Sequence, residues 1–295
     1  KHVPIIEYNP FESIKTNVIG SQNVIDACLK ENVEKAVAIG TDKAVSPGFI
    51  NMLSWAYDTL MNDGRSLSDL KQGVTLEVFG EGTSSGPSGN IEDNTYVSFG
   101  EAMQTLEDNG VSTNIASYLG ATTVRIQEIG YANRKATDEE MESMRNIVKL
   151  AMEQGAIGIG SSLIYAPADY ADTNELIELS KVASAYGGRY ISHMRNEDSR
   201  ILSAVDELIE IAEQANIPAE IYHLKASRQS NYHLLDSVIS KVEEARSRGL
   251  EITADMYTYT ASSTGLTGVI PTWVQEGGRE AWINRMKRPE IRKRL

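Results

Sequence analysis

Short apolar runs alternate along the chain with longer segments in which apolar residues recur at three- and four-residue steps. The clearest example lies within residues 189–225, where two apolar runs each end in a histidine, His193 and His223. Between these runs, apolar side chains fall on one face of a helix, with Glu and Asp on the opposite face: Ile201, Val205, Leu208 and Ile211. The pattern predicts a strand–helix–strand unit, whose right-handed crossover makes the two strands parallel.

The same alternation extends on both sides of this unit and predicts an α/β fold. The strand candidates are Phe49–Leu53, Val74–Phe79, Thr113–Leu119, Ala156–Ser161, Arg189–Ser192, Ala219–Tyr222 and Glu251–Ala254. The last four recur at about thirty residues, which is the length of one βα unit when about 250 residues make eight units. Helical segments precede the later strands and are closed by Gly or Pro at Gly155, Gly187, Pro218 and Gly249. We therefore expect a (β/α)8 TIM-type barrel that stops before its eighth strand, followed by a charged helical tail over residues 280–295.

Composition narrows the choice of partners and compartment. The chain has 295 residues, a formal net charge of −13 and a pI near 4.9, which argues against nucleic acid or anionic membranes as partners. Its single cysteine, Cys28, rules out an internal disulfide framework and fits a reducing compartment, so we expect a cytoplasmic protein. No apolar run approaches membrane-spanning length.

Histidines carry the strongest chemical signal. Parallel strands that are neighbours place His193 and His223 at the same, C-terminal end of the sheet, where α/β proteins put their chemistry. These are two of only four histidines in the chain. His233, in a polar stretch before a helix, is predicted to be a surface residue, and His2 carries no signal.

The first 47 residues have a different character. A helical pattern over residues 12–31, an apolar run at Ala36–Gly40 and the polar loop Thr41-Asp-Lys together predict a Rossmann-type half unit. This segment, VPIIEYNPFESIKTNVIGSQNVIDACLKENVEKAVAIGTDKAVSP, resembles the nucleotide-sugar 4,6-dehydratases of the extended short-chain dehydrogenase family that act on UDP-N-acetylglucosamine. The resemblance implies catalytic roles for Thr41, Asp42 and Lys43.

The dehydratase resemblance stops at residue 47. The family continues with Asn-x-Tyr-Gly-Ala-x-Lys, which supplies a catalytic tyrosine and lysine, whereas this chain has Gly48-Phe-Ile-Asn-Met-Leu. The phosphate-binding glycine fingerprint is also missing. We therefore expect residues 1–47 to be a Rossmann-like fragment that performs no hydride chemistry.

From residue 48 to residue 295 the chain resembles the N-acyl-D-amino-acid deacylases (D-aminoacylases) of the amidohydrolase superfamily. The strings that carry the resemblance are QGVTLEVFGEG, GATTVR, AMEQGAIGIGSSLIYAP, YGGRYISHMR, PAEIYHLKAS and LEITADMYTYTASSTGL. The resemblance implies a zinc-dependent barrel that hydrolyses the amide bond of N-acyl-D-amino acids. It also divides the chain into a fragment over residues 1–47 and an incomplete barrel over residues 48–295.

The resemblance assigns a metal site. It makes His193 and His223 the zinc ligands of the fifth and sixth strands. Family members place a cysteine or an acidic residue at the end of the second strand, which makes Glu81 the third candidate. The first-strand His-x-His of the family is replaced by Leu53 and Trp55, so we expect at most one tightly held metal ion.

Substrate contacts follow from the same resemblance. Lys225, two residues after His223 and therefore expected on the same strand face, would pair with the substrate carboxylate. Tyr165 and Tyr257 would orient this carboxylate and polarise the scissile carbonyl, with Tyr257 stabilising the oxyanion. Arg195 is either a support for the site or a rim residue.

No residue of this chain matches the general base of the family. The family's base is an aspartate on the eighth strand, and Asp255, on the seventh, has no family claim to that role. We therefore expect impaired activity. Two alternatives remain: an NAD-binding protein related to the 4,6-dehydratases, and a non-catalytic product of a gene fusion.

Overall fold

The computed structural model describes residues 49–90, 95–257, 261 and 263–295. Parallel strands alternate with helices along this part of the chain. The strands are β1 (Phe49–Asn51), β2 (Val74–Phe79), β3 (Asn114–Ser117), β4 (Leu119–Gly120), β5 (Gly158–Ser162), β6 (Arg189–His193), β7 (Ala219–Ile221) and β8 (Ile252–Ala254). The helices are α1 (Tyr57–Asn62), α2 (Leu67–Lys71), α3 (Phe99–Asn109), α4 (Ala121–Ile129), α5 (Asp138–Glu153), α6 (Thr173–Ala185), α7 (Ile201–Ala215), α8 (Leu235–Ser247), α9 (Thr272–Gln275), α10 (Gly278–Met286) and α11 (Pro289–Arg292). The features predicted for residues 1–47, together with His2, Cys28 and Thr41-Asp42-Lys43, lie outside the described residues.

All strand pairs are parallel, in the orders β1-β2-β3 and β4-β5-β6-β7-β8. The two sheets meet at Tyr118, the one residue between β3 and β4, so the predicted strand Thr113–Leu119 is interrupted. A close backbone approach accompanies the interruption, because a Cβ atom at Gly160 would lie 1.9 Å from the carbonyl oxygen of Gly80. The array therefore has seven strand positions, as predicted.

The edge strands of this array are β1 and β8. Within the described residues, no strand pairs with the free edge of either. An unpaired edge exposes backbone N–H and C=O groups.

The predicted strand–helix–strand unit is confirmed. Helix α7 connects β6 to β7, which are parallel neighbours with Ser192 opposite Ile221. The four apolar residues predicted to face inward on this helix are all buried. This packing brings the C-terminal ends of β6 and β7 side by side.

Helix ends follow their sequence signals. Helix α5 begins with a capping box, in which Thr137 accepts from the backbone N–H of Glu140 and Glu140 accepts from that of Thr137. Positive φ angles at Gly155, Gly187 and Gly249 terminate the helices that precede β5, β6 and β8. The strands begin or end within two residues of their predicted bounds at β1, β5 and β7.

The predicted tail is not one helix. It consists of α10 and α11, and Pro289 occupies the first turn of α11, where its missing N–H is tolerated. No helix in the part of the chain that the structure describes has the length and apolarity needed to cross a bilayer.

Candidate metal centre

Glu81 lies in a tight turn directly after β2. Gly80 and Gly82 flank it with φ angles of +101° and +77°, a region that favours glycine. A Cβ atom at Gly80 would lie 2.2 Å from the carbonyl oxygen of Tyr118, and one at Gly82 would lie 2.6 Å from Cβ of Ser162. The glycines thus allow the turn to pack against the neighbouring strands, and they leave Glu81 only 7% exposed.

The two histidines reach the same end of the sheet by different means. His193 is the last residue of β6, whereas His223 lies in a turn two residues after β7 and has a φ of +37°. The His223 backbone N–H donates to the carboxylate of Asp255, and Leu224 N donates to the Asp255 carbonyl at 2.9 Å. Asp255, which follows β8, therefore holds the unusual backbone of His223 in place.

The side chains of Glu81, His193 and His223 converge. Oε1 of Glu81 lies 3.0 Å from Nδ1 of His193 and 3.5 Å from Nε2 of His223, and the two histidine nitrogens are 3.0 Å apart. Tetrahedral zinc with ligands at about 2.0–2.1 Å separates its ligand atoms by about 3.3 Å. The spacing and the donor set of two imidazoles and a carboxylate therefore fit one zinc ion, and this is the one such trio found in the described residues.

Hydrogen bonds within this cluster shift the pKa values of Glu81 and His223. Burial raises the pKa of Glu81, but hydrogen bonds from His193 and His223 outweigh it and lower the pKa to about 2. Burial lowers the pKa of His223, but hydrogen bonds to Glu197 and Glu81 outweigh it and raise the pKa to about 9. Without a metal, the cluster therefore holds a proton on His223 at neutral pH.

The sequence analysis missed Glu197. This residue lies in the loop after β6, and its side chain is 11% exposed. Its carboxylate lies 2.9 Å from Nδ1 of His223, 2.7 Å from Nζ of Lys225 and 3.8 Å from Nε2 of His193. The sequence offered one indication of this residue, an acidic side chain four positions after the candidate ligand His193.

Lys225 lies beside the metal trio, but for a different reason from the one expected. Strand β7 ends at Ile221, so Lys225 does not share a strand face with His223 and the expected placement was wrong. The turn after β7 brings Nζ of Lys225 to 3.0 Å from Nδ1 of His223 instead. The same ammonium lies 5.4 Å from the ring centre of Tyr257.

All the residues predicted for the site line one cavity of about 1110 Å³. They are Glu81, Tyr165, His193, His223, Lys225 and Tyr257. The Tyr165 ring packs edge-on against His193 with 5.5 Å between ring centres, and its hydroxyl lies 2.6 Å from Oγ1 of Thr264. Leu53 and Trp55 line the same cavity.

The structure shows where the two remaining residues of the sequence analysis lie, Arg195 and His233. The Arg195 guanidinium pairs with the Glu207 carboxylate through two hydrogen bonds of 2.9 Å and donates to the carbonyls of Asp169 and Ala171. It therefore supports the cavity wall by tying α7 to the segment that follows β5. His233 is exposed, as predicted.

Comparison with solved structures places the described fold among α/β barrels of the amidohydrolase type. A crystal structure of a D-aminoacylase, described as defining a novel subset of amidohydrolases, superimposes with a TM-score of 0.67 and 27% identity, covering 75% of this chain and 49% of that chain. A D-aminoacylase mutant in complex with copper chloride gives the same TM-score and identity.

Sequence comparison gives the same result. A D-aminoacylase from Alcaligenes xylosoxydans xylosoxydans is 32% identical over 235 residues, which is 75% of this chain and 48% of the relative. The chain therefore spans about half the length of the curated relatives that it matches. The resemblance stated from the sequence is confirmed over this part of the chain.

The N-terminal segment matches other proteins. A family described as "Polysaccharide biosynthesis protein" matches residues 1–58. A UDP-N-acetylglucosamine 4,6-dehydratase (inverting) from Campylobacter jejuni is 64% identical over 47 residues, which is 16% of this chain and 14% of the relative.

Proposed function

We propose that this chain hydrolyses the amide bond of N-acyl-D-amino acids, using one zinc ion held by Glu81, His193 and His223. The convergence of these three side chains at the C-terminal end of a parallel barrel-type sheet carries the proposal. The similarity to D-aminoacylases over three quarters of the chain supports the reaction. The copper complex of a relative supports a metal site in this class.

The chemistry that a bound zinc ion supplies is polarisation of a carbonyl oxygen and a lowered pKa of water. The protein provides the remaining functions. Lys225 offers a cation to the free carboxylate of the substrate. Tyr165 orients that carboxylate, and Tyr257 stabilises the negative charge that develops on the carbonyl oxygen.

No residue in the described part of the chain, whose parallel strands fill seven positions, is assigned here as the general base. General base catalysis typically contributes about 10²–10⁴-fold. Metal binding and substrate binding therefore test the site more directly than turnover does.

We propose a division between residues 1–47 and 48–295. The dehydratase similarity ends after 47 residues, and β1 pairs with β2 in the barrel-type sheet. The family match to residues 1–58 crosses this boundary and includes β1. An NAD-binding role is supported by the N-terminal segment alone, and the gene-fusion alternative and a cytoplasmic location stay predictions.

Metal analysis of the purified chain tests the proposal. We expect up to one equivalent of zinc, lost in both His193→Ala and His223→Ala and retained in His233→Ala, the matched exposed histidine. The loaded chain should bind N-acetyl-D-methionine in preference to the L-enantiomer and release D-methionine from it. Zinc content that is unchanged in both ligand variants would refute the site, and tight NAD binding with no effect of zinc would favour the dehydratase-related alternative.

A further inference from the structure

Glu197 connects the candidate metal trio to the candidate substrate cation. Its carboxylate contacts His223 on the ring nitrogen that faces away from the metal position and also contacts the ammonium of Lys225. The loop that carries Glu197 is well fixed. Asn196 Oδ1 accepts from the backbone N–H groups of Asp198 and Arg200 at 3.0 and 2.9 Å, and Ser227 N donates to the Glu197 carbonyl at 2.7 Å.

We propose that Glu197 is a positioning residue that selects the metal-binding tautomer of His223. The inference rests on the proposed zinc site. A neutral imidazole carries one N–H, and the hydrogen bond made by one nitrogen decides whether the other is available to a metal. When Nδ1–H of His223 donates to Glu197, the lone pair of Nε2 faces Glu81 and His193.

Lys225 makes this selection necessary. Its ammonium lies 3.0 Å from Nδ1 of His223, close enough to donate to it. An ammonium group has no acceptor, so this contact favours the opposite tautomer, with the proton on Nε2 where it blocks metal binding. Glu197 opposes this tautomer in two ways. Its carboxylate accepts a hydrogen bond from Nδ1 of His223, and it forms an ion pair with the Lys225 ammonium at 2.7 Å.

The inference predicts a rescue that a purely structural role does not. Glu197→Ala leaves Lys225 as the only described neighbour that competes for Nδ1, so zinc affinity should fall by about 10–100-fold, as for other carboxylates behind a ligating histidine. Adding Lys225→Met removes the competing donor and should recover most of that loss. Lys225→Met alone should bind zinc as tightly as the wild type does.

Zinc affinity is measured by chelator competition on the full chain, with Glu178→Ala as a control, because this carboxylate pairs with Arg145 and Lys181 outside the cavity. Urea midpoints of the metal-free variants show whether folding is intact, and Glu197→Gln replaces the Ala variant if it does not fold. Nitrogen-15 labelling of histidine gives a second readout that is simple because the chain has four histidines. We expect Nδ1–H on zinc-loaded His223 of the wild type and Nε2–H on the neutral ring in metal-free Glu197→Ala.

Three results separate the interpretations. Wild-type affinity in Glu197→Ala, or a loss that Lys225→Met does not reduce, would overturn the tautomer inference and leave the zinc site intact. A wild-type chain that takes up no zinc would overturn the proposed function itself.

Discussion

The indole N–H of Trp55 donates to Oε2 of Glu81 at 2.7 Å, which leaves Oε1 of that carboxylate facing both histidines. Trp55 stands where the D-aminoacylase resemblance leads one to expect a first-strand histidine. A donor in this place occupies the second carboxylate oxygen and orients Glu81 to bind a metal through one oxygen. We therefore expect a single metal ion, bound through Oε1 of Glu81.

Replacing Trp55 with Phe tests this contact. The variant loses a hydrogen bond to a charged group, and outer contacts of this kind are worth about 10–100-fold in metal affinity. We expect zinc affinity to fall within that range while the stoichiometry stays at one. Trp282→Phe is the matched control, because Trp282 lies outside the cavity. Unchanged affinity in Trp55→Phe, or uptake of a second zinc ion by the wild type, would contradict this reading.

The proton on His223 makes zinc binding dependent on pH. The pKa of His223 is raised to about 9, so the metal-free ring is protonated at neutral pH and must lose one proton to bind zinc. The pKa of Glu81, about 2, lies too low to contribute in this range. Zinc affinity should therefore rise with pH, by about tenfold per unit for one released proton, and level off above about 9.

Calorimetry in buffers of different ionisation enthalpy measures this proton release directly. We expect about one proton per zinc at pH 7.5, with the same value in His233→Gln. Affinity that is constant between pH 6.5 and 8.5 would show that His223 is already neutral without metal.

The periodicity of the chain was sufficient to predict six strand positions, the parallel pairing of β6 with β7 and the buried face of α7, and the family resemblance added the position of β1. These features depend on local hydrophobic patterns and on the right-handed crossover of strand–helix–strand units. Both can be inferred from the spacing of residues in the sequence. The interruption at Tyr118 was not predictable in the same way. It accompanies the contact of Gly80 with Gly160, two residues that are 80 positions apart in the chain.

In the candidate site, too, the sequence predicted some features and not others. The strand-end rule brought His193 and His223 together, but the position of Lys225 depends on the turn at His223 and not on strand alternation. Glu197 has no motif of its own in a single sequence. Its importance arises from its contacts with His193 at the end of β6 and with His223 and Lys225 in the segment after β7.

A buried ion pair between α4 and α6 gives a prediction for stability. Nη1 of Arg125 lies 2.5 Å from Oε2 of Glu175, and the Arg125 side chain is fully buried. Burial raises the pKa of Glu175 even though Arg125 opposes it. Arg125→Met should lower the free energy of unfolding by about 3–5 kcal/mol, because it leaves a buried carboxylate without its partner.

Urea unfolding at pH 7 measures the loss, and the double variant Arg125→Met/Glu175→Leu should recover most of it. Lys181→Met, which breaks the exposed pair with Glu178, should cost less than about 1 kcal/mol. A cost for Arg125→Met as small as that of the exposed pair would show that the buried pair contributes little.

Lys225 distinguishes substrate binding from metal binding, because its ammonium faces the cavity but is not one of the three converging ligands. Lys225→Met keeps the apolar stem and removes the charge. In the zinc-loaded chain, binding of N-acetyl-D-methionine should weaken by about 2–5 kcal/mol, the cost of losing one partner of a desolvated charge pair. The corresponding amide, N-acetyl-D-methioninamide, lacks the carboxylate and should bind almost equally to both proteins.

Calorimetric titration measures both ligands, with Lys241→Met, whose partner is Asp206, as the surface control. Equal losses for the acid and the amide would show that Lys225 does not recognise the carboxylate, and retained zinc in the variant would show that the metal trio is not the cause.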